Sequence, residues 1–197
     1  MSTKENILKT AFEFFISHAY ADVSINDIVK KVGITKGGFY HYFKSKEELF
    51  EKVMEDFLDR YYNLFISFFK DESRGLKEKL DLLCRQLLET YNSEEVRKIS
   101  YNPIVYYEIM NKNKALYKKA VSMVKEGIAT IRDLLEKEKE KGILRSDLDC
   151  EGTAFQLLAS LKGMGVYAVF VDGLDLAHNM KIFIENFWRS VAKTEYI

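Results

Sequence analysis

Between Lys30 and Lys46 the chain places five lysines (Lys30, Lys31, Lys36, Lys44 and Lys46) and no acidic residue, a local charge of +5. Ammonium groups clustered this way, beside Tyr40, His41 and Tyr42, suit the binding of nucleic-acid phosphates. Lys36 can reach a phosphate or the O6 and N7 atoms of guanine. The Tyr40 and Tyr42 hydroxyls suit phosphate oxygens, contacts that position a protein rather than specify sequence. For His41, phosphate contact and plain exposure are both open. Gly37 and Gly38 are poor helix formers, costing about 1 kcal/mol each relative to alanine. Such a cost makes sense where backbone must come close to a base edge or phosphate. Lys46, with the N–H groups of a helix opened by Ser45, forms a further anion site.

These side chains need short, tightly joined elements to hold them. Ser24 with Asp27 is a capping box for a helix carrying Ile25, Ile28, Val29 and Val32. Gly33 then interrupts in the manner of a left-handed residue. Thr35 caps a second short helix from Lys36 to about Tyr42, and Ser45 with Glu48 opens a long helix towards Phe69. Val32, Ile34, Phe39 and Phe43 are apolar where they can pin the second short helix inward. Two short helices separated by a glycine-bearing turn make a helix-turn-helix arrangement, its second helix sized for a major groove about 12 Å wide. Ile7, Leu8, Ala11, Phe12, Phe14 and Phe15 supply the supporting first helix.

Helical period continues through the rest of the 197 residues. Helices are expected at Leu76–Tyr91, Pro103–Met110 and Leu116–Lys141, then from the caps Asp147 and Asp149 to Val171, and from Leu176 to Val191. The expectation is an all-α chain of about nine helices in two domains. Residues 1–45 form a three-helix helix-turn-helix domain. Residues 46–197 form a helical ligand-binding and dimerisation domain, entered through a connecting helix at 46–69.

Composition sets the outer limits. Thirty Lys and Arg balance thirty Asp and Glu, so net charge draws the whole chain to neither nucleic acid nor membrane. The stretch from Ala154 to Val171 carries a single charge, Lys162, but its polar and glycine residues make it a helix buried by protein rather than a membrane span. Met1–Ile7 has no apolar signal core. Cys84 and Cys150 are too few for a disulfide framework or a four-ligand zinc site, which points to a reducing cytoplasm. His18, His41 and His178 are scattered, Cys84 sits among leucines, and no phosphate-cradling glycine loop is present. No metal or cofactor is expected, and no catalysis.

The run GITKGGFYHYFKSKEELF closely resembles the DNA-binding segment of the tetracycline-repressor (TetR) family of transcriptional regulators, a likeness covering about Ile7 to Phe50. It implies DNA contacts from Ser24, Asn26, Thr35, Lys36, Gly37, Gly38, Tyr40, Tyr42 and Lys46. The family often carries a small hydroxyl residue where this chain has Gly38, a departure that leaves fewer side chains to read bases. The resemblance also implies a small-molecule pocket. Phe57, Tyr61, Phe65, Leu88, Tyr91, Tyr106, Tyr107, Met110, Met123 and Phe155 could line an apolar cavity with a few hydroxyl handles, or fill an ordinary core.

Two apolar stripes complete the expectation. Leu157, Leu158, Leu161, Gly165 and Ala168, then Ile182, Phe183, Phe187 and Val191, suit a seam between two chains, although burial within one chain is open to them, and the resemblance implies a four-helix interface there. The expected protein is a homodimeric, ligand-responsive repressor that binds a palindromic operator and leaves it when a small apolar or aromatic molecule enters. A helical carrier or sensor of apolar molecules, without transcriptional activity, is the alternative.

Overall fold

Ser2 opens the first helix. Its Oγ accepts the Glu5 N–H at 3.3 Å while the Glu5 carboxylate accepts the Ser2 N–H at 2.7 Å, a reciprocal cap that the polar run before Ile7 did not announce. The computed structural model describes residues 2–92, 111, 113–171 and 173–196, without the side chains at 61, 64, 90–92 and 168–170. Among these residues there are eight α-helices and no strand. They are α1 (Thr3–Ser17), α2 (Ile25–Val32), α3 (Lys36–Tyr40), α4 (Lys46–Lys70), α5 (Leu76–Asn92), α6 (Lys114–Glu140), α7 (Cys150–Phe170) and α8 (Leu176–Val191). The helix expected at 103–110 lies outside the described residues.

The chain divides into two compact units, Met1–Tyr61 with Asn102–Val121, and Tyr62–Tyr101 with Ser122–Ile197. The first unit therefore extends past the boundary expected at Ser45. The reason is packing: Phe50 of α4 lies edge-on to Phe15 at 5.1 Å and to Tyr20 at 5.0 Å, and Phe57 meets Phe12 at 5.8 Å. Leu49, Val53 and Met54 add α4 side chains to the same buried set as Ile7, Ala11 and Ile28. A three-helix unit of this size buries too little surface alone, and the first half of α4 extends its core.

Two side-chain straps fasten α6 to α4 within this unit. Asn113 accepts the Ala115 and Leu116 N–H groups, both at 2.9 Å, and so caps α6, while its amide donates to Glu51. One helical turn on, Lys119 pairs with Asp59 at 2.7 Å and with Glu55 at 3.4 Å.

In the second unit α5, α6, α7 and α8 enclose a core that includes Leu80, Leu83, Ile131, Leu135, Leu157, Ile184 and Trp188. Asp149 caps α7 as expected, its carboxylate accepting the Gly152 N–H at 3.1 Å, and Asp175 caps α8. Gly142 and Gly173 take φ values of 77° and 75° in the turns before α7 and α8, a region that L side chains avoid. Cys84 and Cys150 are unpaired and buried. Burial, with a smaller contribution from Glu136, pushes the Cys150 thiol up to about 11, and burial also raises Cys84. Both stay protonated near neutrality, which suits packing and not nucleophilic attack.

Candidate nucleic-acid interface

The turn between α2 and α3 forms as its residue types require. Gly33 ends α2 at φ 80°, ψ 32°, and its N–H bonds back to the Val29 carbonyl at 2.9 Å, the left-handed helix stop that glycine adopts without strain. Ser24 Oγ accepts the Asp27 N–H at 3.2 Å at the other end of α2. The second half of that cap differs from a standard box, because the Ser24 hydroxyl itself donates to the Asp27 carboxylate. Thr35 Oγ1 accepts the Gly38 N–H at 3.1 Å and starts α3.

Helical bonding in α3 ends at Tyr40, and a further turn carries the chain to Phe43. Phe39 is wholly buried and Phe43 nearly so. Burying such a ring contributes roughly 2–3 kcal/mol, enough to fix which face of a short helix turns inward. The opposite face is left to solvent. Asn26, Thr35, Lys36, Gly37, Tyr40, His41 and Tyr42 are exposed, and Ser24 and Gly38 partly so. The structure thus presents nine of the ten residues expected at the interface on the open surface.

Lys46 is the exception. Its ammonium donates to the Tyr20 carbonyl at 2.7 Å and the Val23 carbonyl at 2.8 Å, and lies 4.2 Å from the Tyr20 ring centroid. A charge-assisted clamp of this kind on two main-chain oxygens is structural. The anion site expected at this terminus is also weakened by its own first turn. Glu47 and Glu48 both sit there, and Glu48 accepts the Lys44 N–H at 2.6 Å. A phosphate would meet two carboxylates.

The +5 segment therefore offers fewer phosphate-binding charges than its count suggests. Lys31 pairs with Glu13 at 2.9 Å. Among the described residues Lys30, Lys36 and Lys44 are exposed and have no ion-pair partner. One cation absent from the sequence expectation joins them. Lys4, in the first turn of α1, places its Nζ 5.8 Å from the centroid of Phe43. Only folding brings it there, across 39 positions of chain, and no local pattern signals it.

Gly37 and Gly38 answer a separate question. Both have negative φ. A Cβ added at Gly37 would meet only Thr35 Oγ1 at 3.8 Å, and one at Gly38 would meet it at 3.5 Å. Nothing inside the protein excludes a methyl group at either position. Gly37→Ala and Gly38→Ala are each expected to raise stability by about 0.5–1 kcal/mol and to weaken DNA binding, as read by thermal melts beside operator titrations. A rise in both quantities would show that neither glycine serves close approach.

A basic, solvent-facing short helix, held by buried aromatics and joined to its predecessor through a glycine turn, defines a helix-turn-helix DNA-binding protein. Residues 7–53 match the family described as bacterial regulatory proteins, tetR family. The chain is 29% identical over 171 residues to the HTH-type transcriptional regulator YdgC of Bacillus subtilis, spanning 82% of this chain and 78% of that one. It is 27% identical to the HTH-type transcriptional repressor KstR2 of Mycolicibacterium smegmatis, over 76% and 71% of the two chains. The crystal structure of the regulator FadR from Bacillus subtilis shares the fold, with a TM-score of 0.70 at 18% identity over 93% of this chain and 96% of that one. Residues 7–53 are thus a tetR-family DNA-binding segment, and the chain, similar over most of its length to transcriptional regulators, is a DNA-binding transcriptional regulator.

The remaining expected residues are placed less simply. Tyr106, Tyr107 and Met110 lie outside the described residues, as do the side chains of Tyr61 and Tyr91. Phe57 packs on Phe12 in the first unit. Phe65 and Leu88 are half-buried against the core of the second, and Met123 is half-buried on α6. Phe155 is 58% exposed on α7, so it lines no interior cavity of the chain.

The expected seam needs a related correction. Leu157, Leu158, Leu161, Phe187 and Val191 are buried in the chain's own core, and Gly165 is buried with them. Already covered, they present no free face. Phe183 is partly buried, Ile182 is exposed, and the Ala168 side chain lies outside the described set. The outward stripe of α7 is instead Phe155, Ala159, Gly163 and Tyr167, spaced four residues apart, with Tyr167 65% exposed.

Proposed function

We propose that the chain is a repressor that binds a palindromic operator as a homodimer and is released by a small apolar or aromatic molecule. The observation that carries the DNA-binding half is the split of α3 into a buried Phe39 face and an open face bearing Lys36, Tyr40 and Tyr42. Lys36 reaches base edges or phosphate. Lys4, Lys30 and Lys44 supply phosphate contacts, and Gly37 and Gly38 let backbone approach. Two copies are needed because one short helix reads only a half-site, and half-sites about 34–36 Å apart demand a two-fold pair.

The stripe of Phe155, Ala159, Gly163 and Tyr167 supports that pairing. Large exposed aromatics interleaved with small residues on one helix face suit a close helix–helix contact. KstR2 is named a repressor, and the FadR structure holds stearoyl-CoA. Both favour negative regulation relieved by an apolar ligand. The tyrosine-rich segment at 91–107 supports a pocket with hydroxyl handles. Ligand entry would act through α4, which runs unbroken from the first unit into the second, by shifting the population of recognition-helix spacings. Neither buried thiol is activated, and among the described residues no cluster of His, Cys, Asp or Glu could hold a metal. A non-catalytic role in the cytoplasm is part of the same proposal.

The test is a salt-dependent gel shift on the DNA upstream of the chain's own coding sequence. Affinity should fall steeply with salt, and Lys36→Ala and Lys44→Ala should each reduce the slope of log K against log salt by about 1. Long-chain acyl-CoA or steroid ligands should dissociate the complex where hydrophilic metabolites do not. Salt-independent binding, or none, would refute the assignment of this surface.

A further inference from the structure

In the second unit, the end of α4, the turn at 71–75 and the start of α5 face the last turns of α6 across a cavity of about 460 Å³. Its lining includes the cations Lys70, Arg74, Lys79, Lys137 and Lys141 against the carboxylates of Glu72, Asp133 and Glu138. Four of these cations are matched. Lys70 pairs with Glu126 at 3.3 Å, Arg74 with Asp71 and with Glu78 at 3.0 Å, Lys137 with Glu72 at 3.0 Å, and Lys141 with Glu138 at 2.8 Å.

Lys79 differs from them. It is 2% exposed, its Nζ donates to the Phe69 carbonyl at 3.0 Å, and no carboxylate oxygen of a described residue lies within 4.0 Å of it. An ammonium taken out of water without a counter-ion is strongly unfavourable. The carbonyl end of α4 supplies only about half of one negative charge. Burial holds the Lys79 pKa below the ordinary lysine range, with Asp71, Glu138 and Glu72 acting in the other direction. The Glu138 carboxylate is equally buried but is neutralised by Lys141. Lys79 is therefore the one lining cation that no carboxylate of a described residue contacts.

We propose that this cavity is a second binding site, separate from the aromatic segment, which takes the carboxylate or phosphate group of a small metabolite with Lys79 as its counter-ion. The rim cations Lys137 and Lys141 guide the anion in and hold its outer oxygens. A volume near 460 Å³ suits a small molecule and not a macromolecule. The site does not depend on the inducer assignment, because it is built wholly from other residues.

Isothermal titration of the full-length protein with inorganic phosphate and, separately, with citrate tests it, ionic strength being held constant with chloride. Saturable binding of at least one of the two is expected, and which one binds identifies the preferred group. Lys79→Met should weaken that binding at least tenfold while leaving operator affinity in anion-free buffer unchanged. Lys36→Ala, which disarms the DNA face, should leave it intact. If Lys79→Met does not fold, the double variant Lys137→Ala/Lys141→Ala, on the exposed rim, should still weaken binding severalfold. No saturable heat with either anion, or binding that survives the loss of Lys79 or of both rim lysines, would overturn the site. Binding lost in Lys36→Ala instead would assign the anion to the DNA face.

Discussion

Replacing Lys46 by methionine is expected to destabilise the first unit by about 2 kcal/mol, since hydrogen bonds from a charged donor are worth roughly 1.5–3 kcal/mol. Methionine keeps the aliphatic stem and removes only the ammonium that clamps the Tyr20 and Val23 carbonyls. Those oxygens belong to the connection between α1 and α2, which contains a short 3-10 turn at Tyr20–Asp22. The melting temperature should fall by several degrees. Operator binding should weaken through the loss of folded protein, with its salt slope intact. Lys36→Ala should behave in the opposite way, with an unchanged melting temperature and a slope lower by about 1. A Lys46→Met protein of wild-type stability whose salt slope drops would return Lys46 to the phosphate-binding set.

Phe155→Glu combined with Tyr167→Glu is expected to convert the proposed dimer to a monomer. Both side chains are mostly exposed, at 58% and 65%, so the fold of a single chain should tolerate the change. Opposed carboxylates across a two-fold contact would repel and would have to be desolvated. Without the pair, the second half-site is no longer engaged at high effective concentration, and operator affinity should drop by about 10² to 10⁴-fold. Sedimentation velocity and a parallel titration on a full operator measure both effects. Leu157→Ala provides the contrast. It is wholly buried, so it should cost about 2–5 kcal/mol of stability while the dimer contact itself is spared. A double variant that still sediments as a dimer would place the interface elsewhere.

Local chemistry announced the DNA-binding unit well because its signals act within a single turn of chain. Ser24, Gly33, Thr35 and Ser45 each terminate or open a helix through bonds to residues three or four positions away. The alternation of Phe39 with Lys36 and Tyr40 is enough to orient a five-residue helix. The chain before Ile7 hid its capping box because Ser2 and Glu5 sit in a polar run with no apolar residue to draw attention to it.

The C-terminal seam was harder to read for a geometric reason. Phe155, Leu157, Leu158, Leu161 and Tyr167 are apolar or aromatic at positions that cover most of the circumference of α7. Period alone cannot then choose an inward side. The choice falls to the neighbours: α5, α6 and α8 cover Leu157 and Leu161, and leave Phe155 and Tyr167 outside. Lys46 misled in a similar way. A lysine beside a basic helix looks the same in sequence whether it meets a phosphate or a carbonyl, and its carbonyl partners stand 26 and 23 residues earlier.

What the order of residues determined by itself was an all-helical chain with a helix-turn-helix near its start and Lys36 on the open face of the second short helix, because caps, glycine stops and helical period are short-range effects. Tertiary structure alone decided that Lys46 serves the fold, that Lys4 reaches Phe43, that Leu157 lies inside while Phe155 lies outside, and that Lys79 is buried without a carboxylate. Each of those outcomes depends on which distant surfaces meet, and charge and apolar area are satisfied only in three dimensions.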